Sequence, residues 1–314
     1  MRHHLTGRIL YAERSKIGCG RLRSRVIVVV AARNIALVAL VTCLPVAVFA
    51  APVFAAPAFA SPARATPVAP AITHPQDDWA GSQIARYEGV ATQDLPIGPV
   101  APVSTTDTAP AGFDVSHYQG AVDWPSAAGA GAAFVYIKAT ESTNYVNPYF
   151  AQQYNGSYQA GLIRGAYHFA TPDTSDGVTQ ANYFVSNGGG WSADGKTLPP
   201  AVDLEYNPYG DTCYGMTPAA LVAWVHAFAD QVRARTSRYP TIYTSTRWWA
   251  MCMGNDATFG ADPLWIARYN TVVGNLPPGW TAQTVWQFAD SGTFPGDQDS
   301  FNGNVGQLRT LASG

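Results

Sequence analysis

Two carboxylates close a short apolar run near the middle of the chain, where Ala201 and Val202 lead into Asp203, Leu204 and Glu205. Because side chains at positions i and i+2 of a strand leave on the same face, we expect Asp203 and Glu205 to point into one space. Crowded carboxylates cannot keep equal pKa values, so one tends to hold its proton while the other stays ionised. Hydrolysis of an acetal such as a glycosidic bond needs that pair of states. The alternative is that both acids cap the next helix or form outward salt bridges.

The elements that position this pair are predicted from runs of consecutive apolar residues, which are typical of strands in a covered parallel sheet. We predict strands near 112–115, 133–139, 163–169, 200–204, 240–244, 263–267 and 283–288, with a last one near 305–309. The clearest helix is predicted over 218–235, with Thr217 as its N-cap and Pro218 at its first position. After residue 239 the predicted strands follow one another at shorter intervals along the sequence, which leaves less room for full helices between them. The spacing therefore predicts an α/β barrel with βα units in its first part and plainer β-structure in its last part.

In a βα barrel the reactive residues lie at the C-terminal ends of the strands. The charged, aromatic and amide residues at those predicted ends are Asp114, Lys138, Glu141, Tyr167, His168, Asp203, Glu205, Tyr243, Arg268, Tyr269, Trp286 and Gln287. Aromatic planes beside carboxylates suit a sugar, whose C–H faces stack while its hydroxyl groups form hydrogen bonds. Each aromatic residue taken alone is also explained as a core or rim residue. We interpret His168 as a hydrogen-bonded barrel residue rather than a base.

The charge distribution is uneven. The 314 residues carry 19 Lys and Arg and 21 Asp and Glu, but residues 1–60 hold eight of the bases and one of the acids. The remaining chain therefore has 19 − 8 = 11 bases and 21 − 1 = 20 acids. An acidic body of this kind argues against nucleic-acid binding, which needs a basic face.

The start of the chain has the order of a secretory signal: basic residues, then an apolar run over 35–41, then small residues up to Ala60. A membrane anchor is the competing interpretation, but Pro45 interrupts the apolar run. We therefore expect a signal peptide over 1–60 and a secreted, extracellular protein, with no stable membrane association after cleavage. Residues 61–111 have the Pro/Ala/Thr composition of a linker, apart from an island over 74–89 that we expect to be ordered and to dock on the main body. A single catalytic domain is predicted over 112–314.

Removal of the signal would leave two of the four cysteines, Cys213 and Cys252. Two cysteines in an exported chain most simply form one disulfide. Two free thiols are the alternative. Neither cysteine has a Cys or His partner at the interval of a zinc site, so we expect no metal and no other cofactor.

Several motifs follow one another in the order and spacing of one known family. They are GFDVSHYQG at 112–120, DW at 123–124, FVYIKATE at 134–141, AGL at 160–162, GAYHF at 165–169, DLE at 203–205, WQF at 286–288 and DQDSFNG at 297–303. This part of the chain resembles glycoside hydrolase family 25, the Chalaropsis-type lysozymes or N-acetylmuramidases, and looks like a secreted actinobacterial member.

The resemblance implies a flattened barrel of about eight strands that cuts the β-1,4 bond between N-acetylmuramic acid and N-acetylglucosamine in peptidoglycan. It implies that Glu205 is the proton donor and that Asp203 stabilises developing positive charge or orients the substrate acetamide. Asp114 and Asp297 would line the same floor, and Asp299, which stands where the family often has Asn, is the rival of Asp297. Glu141 belongs to the family signature, but Ser142 replaces the glycine that usually follows, and a salt bridge or helix cap explains Glu141 equally well.

Strand ends and resemblance together give the candidate substrate-binding residues Tyr136, Lys138, Tyr167, Tyr206, Tyr243, Trp265, Tyr269, Trp286 and Gln287. We expect the partner to be the glycan strand of peptidoglycan and the protein to be a monomer. Two alternatives remain, a catalytically inactive protein that binds cell-wall glycan and a chitinase-like glycosidase. The second lacks support because Leu198-Pro199-Pro200-Ala201 precede Asp203, so the upstream aspartates of the chitinase motif are missing.

Overall fold

The computed structural model describes residues 78–89 and 109–314. The predicted signal peptide and most of the predicted linker, over 61–77 and 90–108, lie outside the described residues.

Nine strands are present in the described part of the chain: β1 (Ala111–Val115), β2 (Phe134–Glu141), β3 (Tyr145–Val146), β4 (Ile163–Phe169), β5 (Ala201–Asp203), β6 (Thr241–Thr244), β7 (Leu264–Ala267), β8 (Val285–Ala289) and β9 (Asp297–Phe301). Eight of them close a mixed α/β barrel in the order β1-β2-β4-β5-β6-β7-β8-β9, with β9 pairing back onto β1. Strand β9 is antiparallel to both of its neighbours, whereas the other barrel pairs are parallel. The short β3 pairs with the end of β2 outside the barrel.

The helices in the described part are α1 (Ser82–Glu88), α2 (Trp124–Gly129), α3 (Phe150–Gln159), α4 (Gly177–Ser186), α5 (Pro218–Thr236), α6 (Thr246–Cys252) and α7 (Val305–Ser313), with a 3₁₀ turn at His117–Gln119. The longest, α5, confirms the predicted helix. Its Thr217 side chain accepts a hydrogen bond from the backbone N–H of Ala220, and Pro218 occupies the first turn. No helix of the described ranges has the length and apolar character needed to cross a membrane.

The predicted strand near 305–309 is wrong. That stretch belongs to α7, which begins after Asn304 with a reciprocal cap between Asn304 and Gln307. The last strand of the barrel is instead β9, whose polar sequence contains no apolar run.

The barrel interior is packed with large aromatic side chains, so it is a core and not a pore. Tyr136 stacks on Trp265 with ring centroids 4.7 Å apart, and Tyr167 and Tyr243 meet the same indole edge-on. Outside the barrel, the predicted disulfide Cys213–Cys252 is confirmed and ties the loop after β5 to the end of α6.

Candidate active site

The carboxylates of the DLE motif lie where β5 ends. Strand β5 is only three residues long and is paired on both sides, which puts Asp203 in register with Phe169 of β4 and Tyr243 of β6. Asp203 and Glu205 are both fully buried. The charge of Glu205 raises the pKa of Asp203, in addition to the larger effect of burial, so the two carboxyl groups lie near each other.

Two further carboxylates reach the same end of the barrel from strands of opposite direction. Asp114, near the end of β1, is in register with Asp297, the first residue of β9. Burial raises the pKa of Asp114 well above its ordinary value, and the charge of Asp297 raises it further. The charge of Asp203 acts in the same direction, which places all three carboxyl groups around one pit.

Asp299, the rival of Asp297, lies deeper. Its Oδ1 accepts a hydrogen bond of 2.8 Å from Trp265 Nε1, and the Trp265 ring belongs to the barrel interior. Asp297, by contrast, accepts a hydrogen bond of 3.4 Å from the Tyr269 hydroxyl at the mouth. The geometry therefore favours Asp297 as the carboxylate that lines the pit.

One amide connects these groups. Gln287 donates from Nε2 to Asp114 Oδ2 at 2.8 Å, and its Oε1 accepts from the hydroxyl groups of Tyr243 at 2.7 Å and Tyr269 at 3.0 Å. Because both ends of the amide are used, its orientation is fixed, and with it the position of Asp114 and of two tyrosine hydroxyl groups.

Glu205 has the properties of a proton donor at neutral pH. Burial raises its pKa to about 8, the charge of Asp297 adds to that rise, and three backbone amide groups oppose it. Asp203 is different, since neither of its oxygens has a hydrogen-bond partner among the described residues. It is therefore free to accept a positive charge or an N–H group from a ligand.

Glu141 lies in a buried ion cluster beside the pit. Lys138 Nζ is 2.6 Å from Glu141 and 3.1 Å from Asp78, and the Tyr209 hydroxyl donates to Glu141 at 2.6 Å. This placement favours the salt-bridge alternative for Glu141. The next residue, Ser142, has φ 48°, in the left-handed region that glycine adopts most easily, which gives a physical reason for the glycine of the family pattern.

Six of the nine candidate substrate-binding residues lie at the mouth with the carboxylates: Lys138, Tyr167, Tyr206, Tyr243, Tyr269 and Gln287. The other three do not, which corrects the prediction. The Tyr136 hydroxyl is bonded to Pro199 O and Thr241 Oγ1, where β5 and β6 begin, so this side chain points away from the mouth. Trp265 packs against it in the barrel interior, and Trp286 leaves β8 on the face opposite to Gln287.

His168 is confirmed as a hydrogen-bonded barrel residue. Its two ring nitrogens are bonded to Thr140 Oγ1 at 2.8 Å and Gln180 Oε1 at 3.0 Å, and burial lowers its pKa to about 3. A neutral imidazole whose two nitrogens are both occupied is not available as a base.

Residues 78–89, which we call the N-terminal segment, dock against this mouth. Trp79 stacks on Tyr118 with ring centroids 4.9 Å apart, Tyr87 stacks on Tyr206 at 4.5 Å, and Ile84 is buried. The predicted docking of the island is thus confirmed. Its place on the candidate active site was not predicted, and neither was the participation of Asp78, Tyr118 and Tyr209, which lie outside the strand ends.

Comparison with known proteins identifies the family of the barrel. The model of the glycosyl hydrolases family 25 matches residues 113–297. Among curated proteins, the chain is 48% identical over 217 residues to an N,O-diacetylmuramidase of Arthroderma benhamiae, covering 69% of this chain and 92% of the relative. It is 42% identical over 240 residues to lysozyme M1 of Streptomyces globisporus, covering 72% of this chain and 81% of the relative.

Solved structures give the same result. A family GH25 lysozyme from Aspergillus fumigatus superposes with a TM-score of 0.65 and 49% identity, over 66% of this chain and all of the other. A bacterial lysozyme from Streptomyces coelicolor superposes with a TM-score of 0.64 and 42% identity, over 67% of this chain and 99% of the other.

Proposed function

Because the chain belongs to family 25 of the glycosyl hydrolases and is therefore a glycoside hydrolase of the lysozyme type, we propose that it hydrolyses the β-1,4 bond between N-acetylmuramic acid and N-acetylglucosamine, with Glu205 as the proton donor. The observation that carries the proposal is the burial of Glu205 in a pit of carboxylates, which raises its pKa to about 8. A carboxylic acid that keeps its proton near neutral pH is what the leaving glycosidic oxygen requires.

The reaction that we propose divides the work among the buried carboxyl groups. Glu205 gives its proton to the glycosidic oxygen as the bond from that oxygen to the anomeric carbon breaks. Water adds a hydroxyl group to the anomeric carbon, and its remaining proton returns to the Glu205 carboxylate. Asp203 stabilises the positive charge of the transition state or orients the substrate acetamide, a role supported by its two oxygens that lack partners among the described residues.

Asp114 and Asp297 act on the Glu205 proton and on the sugar. The charge of Asp297 raises the pKa of Glu205, and the pair of strands β1 and β9 holds Asp114 beside Asp297. The tyrosines at the mouth supply flat apolar faces with hydroxyl groups at their edges, which suits the two surfaces of a pyranose ring. These contacts support a glycan as the ligand.

We also propose that the enzyme acts outside the cell, on the glycan strands of peptidoglycan. The basic and apolar order of residues 1–60 supports export, and the Cys213–Cys252 disulfide suits an oxidising compartment.

The test is mass spectrometry of the fragments released from purified peptidoglycan by the full chain over a long digestion. The proposal predicts fragments with muramic acid at the reducing end, whereas glucosamine at the reducing end would indicate a glucosaminidase. Replacement Glu205→Gln keeps the shape of the side chain but removes the transferable proton, and we expect the rate to fall by about 10²–10⁴-fold with the melting curve still cooperative. A normal rate for this variant would remove the assignment of Glu205.

A further inference from the structure

We propose that the N-terminal segment, residues 78–89, is an intramolecular inhibitor that occupies the glycan-binding cleft and has to leave before substrate binds. The inference rests on the proposed function, since the residues that the segment covers are those assigned to the reaction. In the state that we propose, the N-terminal segment contacts the barrel of the same chain and holds the enzyme inactive.

The contact begins at the proton donor itself. The backbone N–H groups of Gly81, Gln83 and Ile84 donate to Glu205, the first to Oε1 at 2.8 Å and the other two to Oε2 at 3.0 and 3.1 Å. Both oxygens of the carboxyl group are thus engaged, and Glu205 is fully buried. A glycosidic oxygen cannot approach a carboxyl group that is covered in this way.

The three amide groups also act on the protonation state. Hydrogen bonds donated to a carboxyl group favour its ionised form, and these three lower the pKa of Glu205 against the larger effect of burial. These three hydrogen bonds therefore oppose the protonated state that the reaction needs.

The rest of the pit is covered by the same few residues. Gln287 Nε2 donates to Ala80 O at 3.0 Å, and the Ala80 N–H donates to the Tyr167 hydroxyl at 3.3 Å. The Tyr269 hydroxyl lies 3.2 Å from Gly81 O. The backbone of residues 80 and 81 thus forms hydrogen bonds with side chains that we assign to substrate binding.

Each end of the segment is anchored separately. At the start, Asp78 forms a buried ion pair with Lys138 and Trp79 stacks on Tyr118. At the end, Glu88 accepts hydrogen bonds from Ser245 and from Tyr206, and Tyr87 stacks on the Tyr206 ring. These rings are flat aromatic surfaces of the kind that a sugar chain uses, so the segment covers the approach to the pit on both sides.

The N-terminal segment packs most closely against the pit at Gly81. This residue has φ +100°, and a Cβ built on it would meet the Tyr269 hydroxyl and lie 2.7 Å from Asp297 Oδ2 and 2.8 Å from Gln287 Oε1. Only glycine both adopts this positive φ without strain and leaves room for the neighbouring side chains. The segment also lies outside the matched family range, which begins at residue 113, and the whole Aspergillus fumigatus structure is accounted for by 66% of this chain. A barrel without a segment is thus consistent with the family, and in this chain the segment contacts the groups that we assign to the reaction.

The test compares two glycines of the full chain that both have positive φ. In Gly81→Ala the new methyl group collides with the pit, whereas in Gly89→Ala it meets no atom within 4 Å. If the segment occupies the cleft in nine of ten molecules or more, its release raises the initial rate of peptidoglycan lysis about tenfold or more. We expect that rise for Gly81→Ala and the unchanged wild-type rate for Gly89→Ala. Asp78→Ala, which leaves Lys138 paired with Glu141, is the second variant should Gly81→Ala fail to fold.

A binding measurement separates this inference from the proposed function. The probe is the soluble disaccharide N-acetylglucosaminyl-β-1,4-N-acetylmuramic acid, titrated by calorimetry, because it lacks the bond from N-acetylmuramic acid to N-acetylglucosamine that the proposed reaction cleaves. Tighter binding and faster lysis by Gly81→Ala support the inference. Equal binding and equal lysis by wild type and Gly81→Ala overturn the inference and leave the lysozyme activity in place. Tighter binding by Gly81→Ala with no lysis by any variant leaves the inhibitor in place and overturns the proposed reaction, and no lysis with equal binding overturns both.

A synthetic peptide of residues 78–89 gives a second measurement. Added to the Gly81→Ala enzyme, it should restore inhibition, and the same peptide with alanine at position 81 should not. Because the tethered segment has a high effective concentration, we expect the free peptide to act only near millimolar concentration.

Discussion

Asp299 is a buried acid whose removal should stabilise the protein. It is fully buried in the barrel interior, with one oxygen bonded to Trp265 Nε1 at 2.8 Å and the other without a hydrogen-bond partner among the described residues. Burial raises its pKa well above the ordinary value, and the charge of Asp297 raises it further. A group whose pKa is raised by folding contributes most to stability below its unfolded pKa, and that contribution is lost as the pH rises towards the folded pKa.

The size of the effect follows from the proton that folding takes up. An aspartate with an unfolded pKa of about 3.9 is ionised at pH 7.5, and holding it neutral there costs up to about 5 kcal/mol. Asn keeps the acceptor for Trp265 and needs no proton, but its amide N–H groups cost about 1–3 kcal/mol if they find no acceptor. We therefore expect Asp299→Asn to stabilise the fold by about 2 kcal/mol at pH 7.5, which is about 4–8 °C in Tm for a domain of this size.

The assay is differential scanning calorimetry of wild type and Asp299→Asn at pH 4 and pH 7.5. The gain should be present at pH 7.5 and absent or reversed at pH 4, where the side chain in the unfolded wild type already holds its proton about half of the time. Asp211→Asn is the control, because Asp211 is exposed and the same replacement is made there outside a buried site. An equal Tm at pH 7.5, or the same gain at both pH values, would show that the buried acid does not limit stability.

Two further measurements follow from the structure. The rate of lysis should fall as the pH rises above neutrality, because burial raises the pKa of Glu205 and the carboxyl group then loses the proton that we propose it donates, and a flat profile of kcat/KM up to pH 10 would contradict its role. Replacement of Cys213 and Cys252 by Ser should lower Tm by several degrees, since a bond that closes 39 residues contributes about 3–4 kcal/mol in the loop-entropy model, and an unchanged calorimetric transition would show that the bond adds nothing.

The strands were predictable because most of them are apolar on both faces. Runs such as 163–169 and 264–267 lie inside a covered sheet, where every position except the half-buried Arg164 is buried, so no alternation is needed to find them. Strand β9 was not predicted, for the opposite reason. Asp297 lines the pit at the mouth and Asp299 lies in the barrel interior, and both are buried polar residues, so this strand contains no apolar run.

The C-terminal helix was predicted as a strand because the stretch 305–309 is only five residues long. Over 305–309 a helix and a strand cannot be told apart by apolar positions alone. The signal that decides is the pair Asn304 and Gln307, a capping box that marks the start of a helix. Leu308 and Ala312, four residues apart, form its buried stripe.

The candidate site was predictable in its carboxylates and less so in its aromatic residues. Asp114, Asp203 and Glu205 follow from the rule that parallel strands end at one mouth. Tyr136 and Trp265 lie further back along their strands, where side chains on the inner face enter the core. The contacts of the N-terminal segment join residues that are far apart in the sequence, 124 positions in the bond from Gly81 to Glu205, and no local pattern specifies such a pairing.

The buried acids of this site link reactivity to stability. Burial raises the pKa values of Asp114, Asp203, Glu205 and Asp297, so the ionised forms that dominate in the unfolded chain at neutral pH are unfavourable in the fold. The proton-donor role that we propose for Glu205 requires that environment, and the cost in stability falls at the candidate site. Gln287 limits the cost because one amide satisfies Asp114 and two tyrosine hydroxyl groups at once. The high pKa of Glu205 is therefore a property of the whole pit, so a change that makes the pit more stable by removing a negative charge should also make Glu205 easier to ionise.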